Sequence, residues 1–129
     1  MAGYLLDTSI AIGLRDDDPA IVARAKALGP GLVLSIVTRV ELEGGVYRDP
    51  TTADARRRRL DILLAALPVL QFDAAAAEAY GAIGREAGYS RRKLLDRMIA
   101  AQAIVEDATL LTLNPADFAD IPGLKLLAW

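Results

Sequence analysis

The stretch YLLDTSIAIGL, residues 4–14, decides how this chain is read. A short apolar run, Tyr4-Leu5-Leu6, stops abruptly on the carboxylate of Asp7 and the hydroxyls of Thr8 and Ser9. Asp, Thr and Ser are favoured helix caps, so one reading is that they only start the helix that follows. The other is that a strand delivers a charge to a working site. This stretch alone leaves both open.

Working outward, short apolar runs recur at Leu32-Val33-Leu34, Val69-Leu70 and Leu110-Leu111, with a weaker one at Leu126-Leu127. Helical patterns fall between them, near residues 19–28, 36–48, 53–66, 74–88 and 92–107. Pro19 suits a first helical turn and Gly88 a helix end. This alternation predicts an α/β fold of three layers, α/β/α, with a mostly parallel central sheet in a single domain over residues 1–129. Ligands of such sheets gather outside the carboxyl ends of the strands, which is where Asp7 falls.

Composition narrows the chemistry. The chain has 129 residues, 53% hydrophobic and 25% charged, enough for one ordinary core. Its 15 basic and 17 acidic residues leave a net charge of −2, so any contact with a polyanion must come from local clusters. It contains no cysteine and no histidine, which removes disulfides, thiolate chemistry, imidazole bases and the usual zinc sites. The amino terminus lacks a targeting pattern and no stretch reaches membrane-spanning length, so a soluble cytoplasmic protein is expected.

Three further stretches offer acids. SIVTRVELEGG, residues 35–45, brings Glu41 and Glu43 into a helix that starts near the end of the second strand. A solvated helix face is the commoner fate of a glutamate. RRKLLDRMIAAQAI, residues 91–104, sets Asp96 beside Ile99, Ala100 and Ala103, on the strip that should face the sheet. A carboxylate there needs a partner, either a salt bridge to Arg92 or Arg97 or a metal ion. LLTLNPADFADIPG, residues 110–123, ends a strand at Thr112 and turns at Asn114-Pro115, presenting Asp117, which an exposed turn acid would equally explain. Clustered carboxylates repel one another, and a cation resolves that conflict. An all-oxygen ligand set suits Mg²⁺ or Mn²⁺.

Taken in order, LLDTS, ELEGG, LLDRMIAAQA and TLNPADFADIPGL resemble the PIN-domain ribonucleases, most closely the VapC type, the toxins of VapBC toxin–antitoxin modules. The resemblance spans essentially the whole chain, and its specificity lies in the ordered set of four motifs. It implies a metal-dependent endoribonuclease using Mg²⁺, with Asp7, Glu41, Asp96 and Asp117 as the acidic quartet and Thr8, Thr112 and Asn114 as supporting polar residues. It also implies a homodimer, neutralised by a VapB-type antitoxin that carries the binding to operator DNA.

Between the two glutamates, helix geometry adds its own argument for Glu41. Helical side chains lean toward the amino terminus, so the residues three and four positions on cover a given one. For Glu41 these are Gly44 and Gly45, which leave it open; for Glu43 they are Val46 and Tyr47. The bland alternative is that the two glycines simply end the helix.

Among the basic residues, Arg56-Arg57-Arg58-Arg59 point all round a helix and read as a solvated helix start. Arg91, Arg92, Lys93 and Arg97 lie nearer the acids and are the expected phosphate contacts. LDILLAALPVL, residues 60–70, carries more apolar residues than one stripe needs: either a buried helix running into a strand or a patch for a partner or second copy. Rival readings are a haloacid-dehalogenase-like phosphatase, a receiver-type phosphoacceptor and a catalytically silent PIN-like binding domain. The first needs a second aspartate where this chain has Ser9; the second needs an acidic pair after the first strand and a late lysine, and LLTLNP offers none.

Overall fold

The computed structural model describes residues 3–129. In chain order the elements are β1 (Tyr4–Leu6), α1 (Thr8–Arg15), α2 (Pro19–Leu28), β2 (Leu32–Ser35), α3 (Ile36–Val46), α4 (Ala53–Ala66), β3 (Val69–Leu70), α5 (Ala74–Ala87), α6 (Leu94–Val105), β4 (Thr109–Thr112), a 3-10 turn (Pro115–Phe118) and β5 (Lys125–Ala128). All strand pairings are parallel, in the order β3-β2-β1-β4-β5. The expected three-layer α/β/α architecture is what forms.

Alternation along the strands divides the core between the two faces. Leu5 is paired in register with Val33 and Leu110, and all three pack toward Ile83 of α5 and Ile99, Ala100 and Ala103 of α6. Their successors Leu6, Leu34 and Leu111 are likewise in register and face Ile10 of α1, Ile21 of α2, Leu42 and Val46 of α3 and Leu60 and Leu63 of α4. A one-residue slip in any central strand would turn this set of leucines to the wrong layer.

Local chemistry sets the helix ends. Asp18 caps α2, accepting from the amides of Ala20 and Ile21, with Pro19 in the first turn. Gly88 ends α5 at φ 84°, a conformation that costs a residue with a Cβ. Gly13 is demanded by packing instead: a Cβ there would lie 2.2 Å from Cδ1 of Ile21, so α1 and α2 meet this closely only over a glycine. The alternative that Gly44 and Gly45 simply end α3 does not hold, because the helix runs through both to Val46.

β1 occupies the middle of the sheet, with β2 and β3 on one side and β4 and β5 on the other. The chain therefore reverses its direction of growth beside β1, and the crevice at the carboxyl ends of β1 and β4 is where this topology places a site. No helix among the described residues is long and apolar enough to cross a membrane.

Candidate metal and RNA site

Asp7 directly follows β1 and is only 5% exposed. Its Oδ1 accepts from the amide of Ile10 at 3.0 Å, capping α1, and from the hydroxyl of Ser9 at 2.5 Å. Its Oδ2 accepts from the hydroxyl of Thr112, at the end of β4. Capping and charge placement are thus one act, because the cap is the carboxylate itself. The neighbouring strand fixes the second oxygen, so Asp7 has one orientation.

Glu41 is held from the other side. Thr8, the first residue of α1, donates its hydroxyl to Oε1 of Glu41 at 2.6 Å and lies 3.1 Å from the hydroxyl of the buried Thr38. Thr38 precedes Glu41 by three residues, so both lie on the same face of α3. Glu43 goes elsewhere: it binds Arg57 at 2.5 Å and Arg39 at 3.2 Å, and the Arg57 hydrogen bond, followed by that of Arg39, holds its carboxyl below the usual range.

Asp96 lies in the first turn of α6, half-buried at the edge of the strip formed by Ile99, Ala100 and Ala103. It makes no ion pair with Arg92 or Arg97 among the described residues, so the salt-bridge alternative does not apply. Burial pushes its carboxyl up to about 6, and the charges of Asp117, Asp7 and Glu41 push in the same direction against Lys93. Asp117 stands exposed on the 3-10 turn after β4. Asn114 caps that turn through its backbone, and its amide donates to the hydroxyl of Thr112 at 2.9 Å. Four acids from four different elements thus act on one region of the sheet edge.

The donor set is all carboxylate and hydroxyl oxygen, and its mutual repulsion is of the kind a hard divalent cation relieves. Among the described residues no three Asp, Glu, His or Cys side chains form a ready-made cage. Asp7 and Glu41 are instead each tethered by hydroxyls. The fit to a cation is one of charge and donor type.

Two expectations about basic residues need correction. Arg97 is only 3% exposed; its guanidinium donates to the carbonyl of Gly88 at 2.5 Å and to Asp120 at 3.2 Å, tying α6 to the end of α5 and the loop after β4. It is unavailable to RNA because burial and these bonds occupy it. Nor is the arginine run merely solvated: Arg57 pairs with Glu43 and Asp61, Arg56 donates to the carbonyl of Gly45 at 3.0 Å, and Arg59 lies 3.5 Å from Asp17. Lys93 pairs with Asp120 at 3.0 Å, while Arg91 and Arg92 are exposed.

Other supports escaped the sequence reading. Ser35 caps α3 and donates to the amide oxygen of buried Gln102, whose nitrogen donates to the carbonyls of Leu70 and Gln71 at 3.2 Å each. This buried network fastens α6, the helix that carries Asp96, to β2 and β3. The only sequence sign is a polar residue at an apolar position of α6.

The fold is a parallel α/β sheet with acids after β1, on α3, on α6 and on the turn after β4, and the chain matches the PIN domain over residues 4–124. The chain belongs to the PIN domain family. It is 32% identical to Ribonuclease VapC2 of Rickettsia felis, over 98% of this chain and 97% of that one. It is 30% identical to the tRNA(fMet)-specific endonuclease VapC of Shigella flexneri, over 100% of this chain and 99% of that one. Among solved structures, it resembles VapBC2 from Rickettsia felis bound to a promoter DNA fragment, with a TM-score of 0.88, 28% identity and coverage of 100% and 99%.

Proposed function

We propose that this chain is a VapC-type endoribonuclease, the toxin of a VapBC module, and that Asp7, Glu41, Asp96 and Asp117 hold its divalent metal, Mg²⁺ or Mn²⁺. The observation that carries the site is the raised carboxyl of Asp96, which burial pushes upward first and three acids from other elements push further. A bound cation would neutralise charge on the scissile phosphate and make a water acidic enough to attack near neutral pH. Asp7 is oriented by Ser9, Ile10 and Thr112, and Glu41 by Thr8, so the donors are set before substrate arrives. Asp117, exposed on its turn, is free to orient the attacking water. No side-chain nucleophile is required.

The phosphatase alternative is weakened by Ser9, whose hydroxyl donates to Asp7 where that chemistry needs a second acid. Cleavage of a single-stranded RNA with Mg²⁺ and with EDTA tests the reading. Cleavage unaffected by EDTA would remove the metal, and no cleavage under any divalent ion would favour the silent binding domain.

The relatives solved as VapBC complexes support an antitoxin partner. An apolar groove of about 480 Å³ between α1, α2 and α4, lined by Leu14, Val22, Ala25, Ile62, Leu63 and Leu67, is suited to an apolar antitoxin segment. Leu63 forms its buried floor and Ile62 its exposed rim, so the 60–70 segment serves core and groove together. Ile62→Glu is expected to weaken antitoxin binding about tenfold or more while leaving the fold intact. Unchanged affinity by calorimetry would move the partner to another face. A homodimer belongs to the same reading, and light scattering on the isolated chain tests it.

A further inference from the structure

Beside Glu41 the surface opens into a second hollow, of about 360 Å³, between α1, α3 and the start of α4. Thr8 and Glu41 belong to its lining, Ile12 gives it an exposed apolar residue over the buried Leu42, and Arg48 and Arg56 line it together with Arg15, which is buried and paired with Asp16. Neither Arg48 nor Arg56 makes an ion pair among the described residues, in contrast to Arg15, Arg39, Arg57 and Arg59. Arg56 spends one nitrogen on the carbonyl of Gly45 and leaves the rest of its fork available. Gly45 leaves the wall bare, since a Cβ there would meet nothing within 4 Å.

We propose that this hollow seats the nucleotide next to the scissile phosphate of a single-stranded RNA, with Arg48 and Arg56 holding the neighbouring phosphate. The inference rests on the ribonuclease reading above. A strand with one phosphate at the acidic edge must lay its next nucleotide alongside, and the hollow adjoins Glu41. Its volume lies within the ~300–1,000 Å³ of ordinary ligand sites. Ile12, 39% exposed, offers a base a face without hydrogen-bonding groups, so the seat tolerates different bases. Guanidinium groups without carboxylate partners match a phosphate, and they would repel the basic side chain of an incoming peptide.

The test compares Arg48→Gln, alone and combined with Arg56→Gln, with a control of equal charge change, Arg24→Gln combined with Arg58→Gln, both exposed. Steady-state cleavage of a short mixed-sequence RNA is expected to show KM raised about tenfold in the double variant, with kcat changed less than about twofold. Fluorescence anisotropy of the same RNA, measured in an Asp7→Asn background, should show the slope of log affinity against log salt flattened by about 0.7, the value for one phosphate contact on a single strand. The control should match its parent in both measurements. Equal KM and equal slope in the hollow and control variants would overturn the proposal. So would loss of antitoxin affinity with RNA affinity unchanged, which would make the hollow a seat for protein. Wild-type protein that cleaves no RNA would defeat the ribonuclease reading separately, and the anisotropy comparison would still decide whether the hollow takes a phosphate chain.

Discussion

Two groups of charges lie within a few turns of each other and are organised in opposite ways. Between α3 and α4, Glu43, Arg39, Arg57 and Asp61 satisfy one another, and the carboxyl of Glu43 is held low. At the sheet edge, Asp7, Glu41, Asp96 and Asp117 make no ion pair among the described residues, and Asp96 is driven up to about 6. The first group has what it needs within the chain. The second is left with a carboxyl that burial and the neighbouring acids push up without an ion-pair partner among the described residues, and perturbed groups of this kind are candidates for functional sites. Glu41 and Glu43 are two residues apart and fall on opposite sides of this divide.

The strongest way to break the comparison is Asp7→Asn. It keeps shape and most hydrogen bonds but removes a buried charge, and cleavage should fall on the order of a thousandfold or more, the scale of losing several kcal/mol of cation stabilisation. Thermal unfolding should stay cooperative. A folded Asp7→Asn protein that cleaves RNA at the wild-type rate would remove Asp7 from the site.

Asp96→Asn probes the conflict itself. In the native protein Asp96 keeps its proton up to about pH 6, whereas the unfolded chain releases it near 3.8. The folded state thus binds more protons in this window, so the metal-free wild type loses stability as pH rises through it. Asparagine removes that loss. A two-unit shift corresponds to ~3 kcal/mol, which solvent screening at this half-buried position reduces to about 1–2 kcal/mol of gain for the variant at pH 7.5. The gain should disappear below about pH 4. Urea titrations at both pH values, without divalent ions, measure it, and an equal gain at both would mean that packing rather than charge is responsible.

The smallest stability effect sharpens the contrast on α3. Glu43→Gln should cost no more than about 1 kcal/mol, since its pairs are partly exposed, and should leave cleavage near wild type. Glu41→Gln should cut cleavage by about a hundredfold with little change in stability. If the Glu43 variant loses as much cleavage as the Glu41 variant, the division between the two groups is wrong.

The order of strands and helices was legible from the alternation of short apolar runs with longer helical periods; the central runs became buried strands, while the edge strand β5 stays largely exposed. Helices over 19–28 and 53–66 match α2 and α4. The first helix could be read only as whatever followed Asp7, since eight residues of mixed character carry little period. The four acids were legible as an ordered set, with Asp96 standing out because a carboxylate on an apolar strip must be explained.

What the sequence determined by itself was therefore whatever depends on period and residue type: the α/β/α layering, the lack of histidine and cysteine, and the ordered set of acids after β1, on α3, on α6 and on the turn after β4. Tertiary structure decided everything that depends on which neighbour arrives from elsewhere in the chain. Arg97, inside the LLDRMIAAQA stretch and next to Asp96, was claimed by Gly88 and Asp120; Thr38 and Ser35 acquired partners 30 and 67 residues away. Arg57 was drawn to Glu43 while Arg56, its neighbour, was left facing the hollow beside Glu41. Adjacent residues on a helix point about 100° apart, so their fates are set by the surfaces they meet.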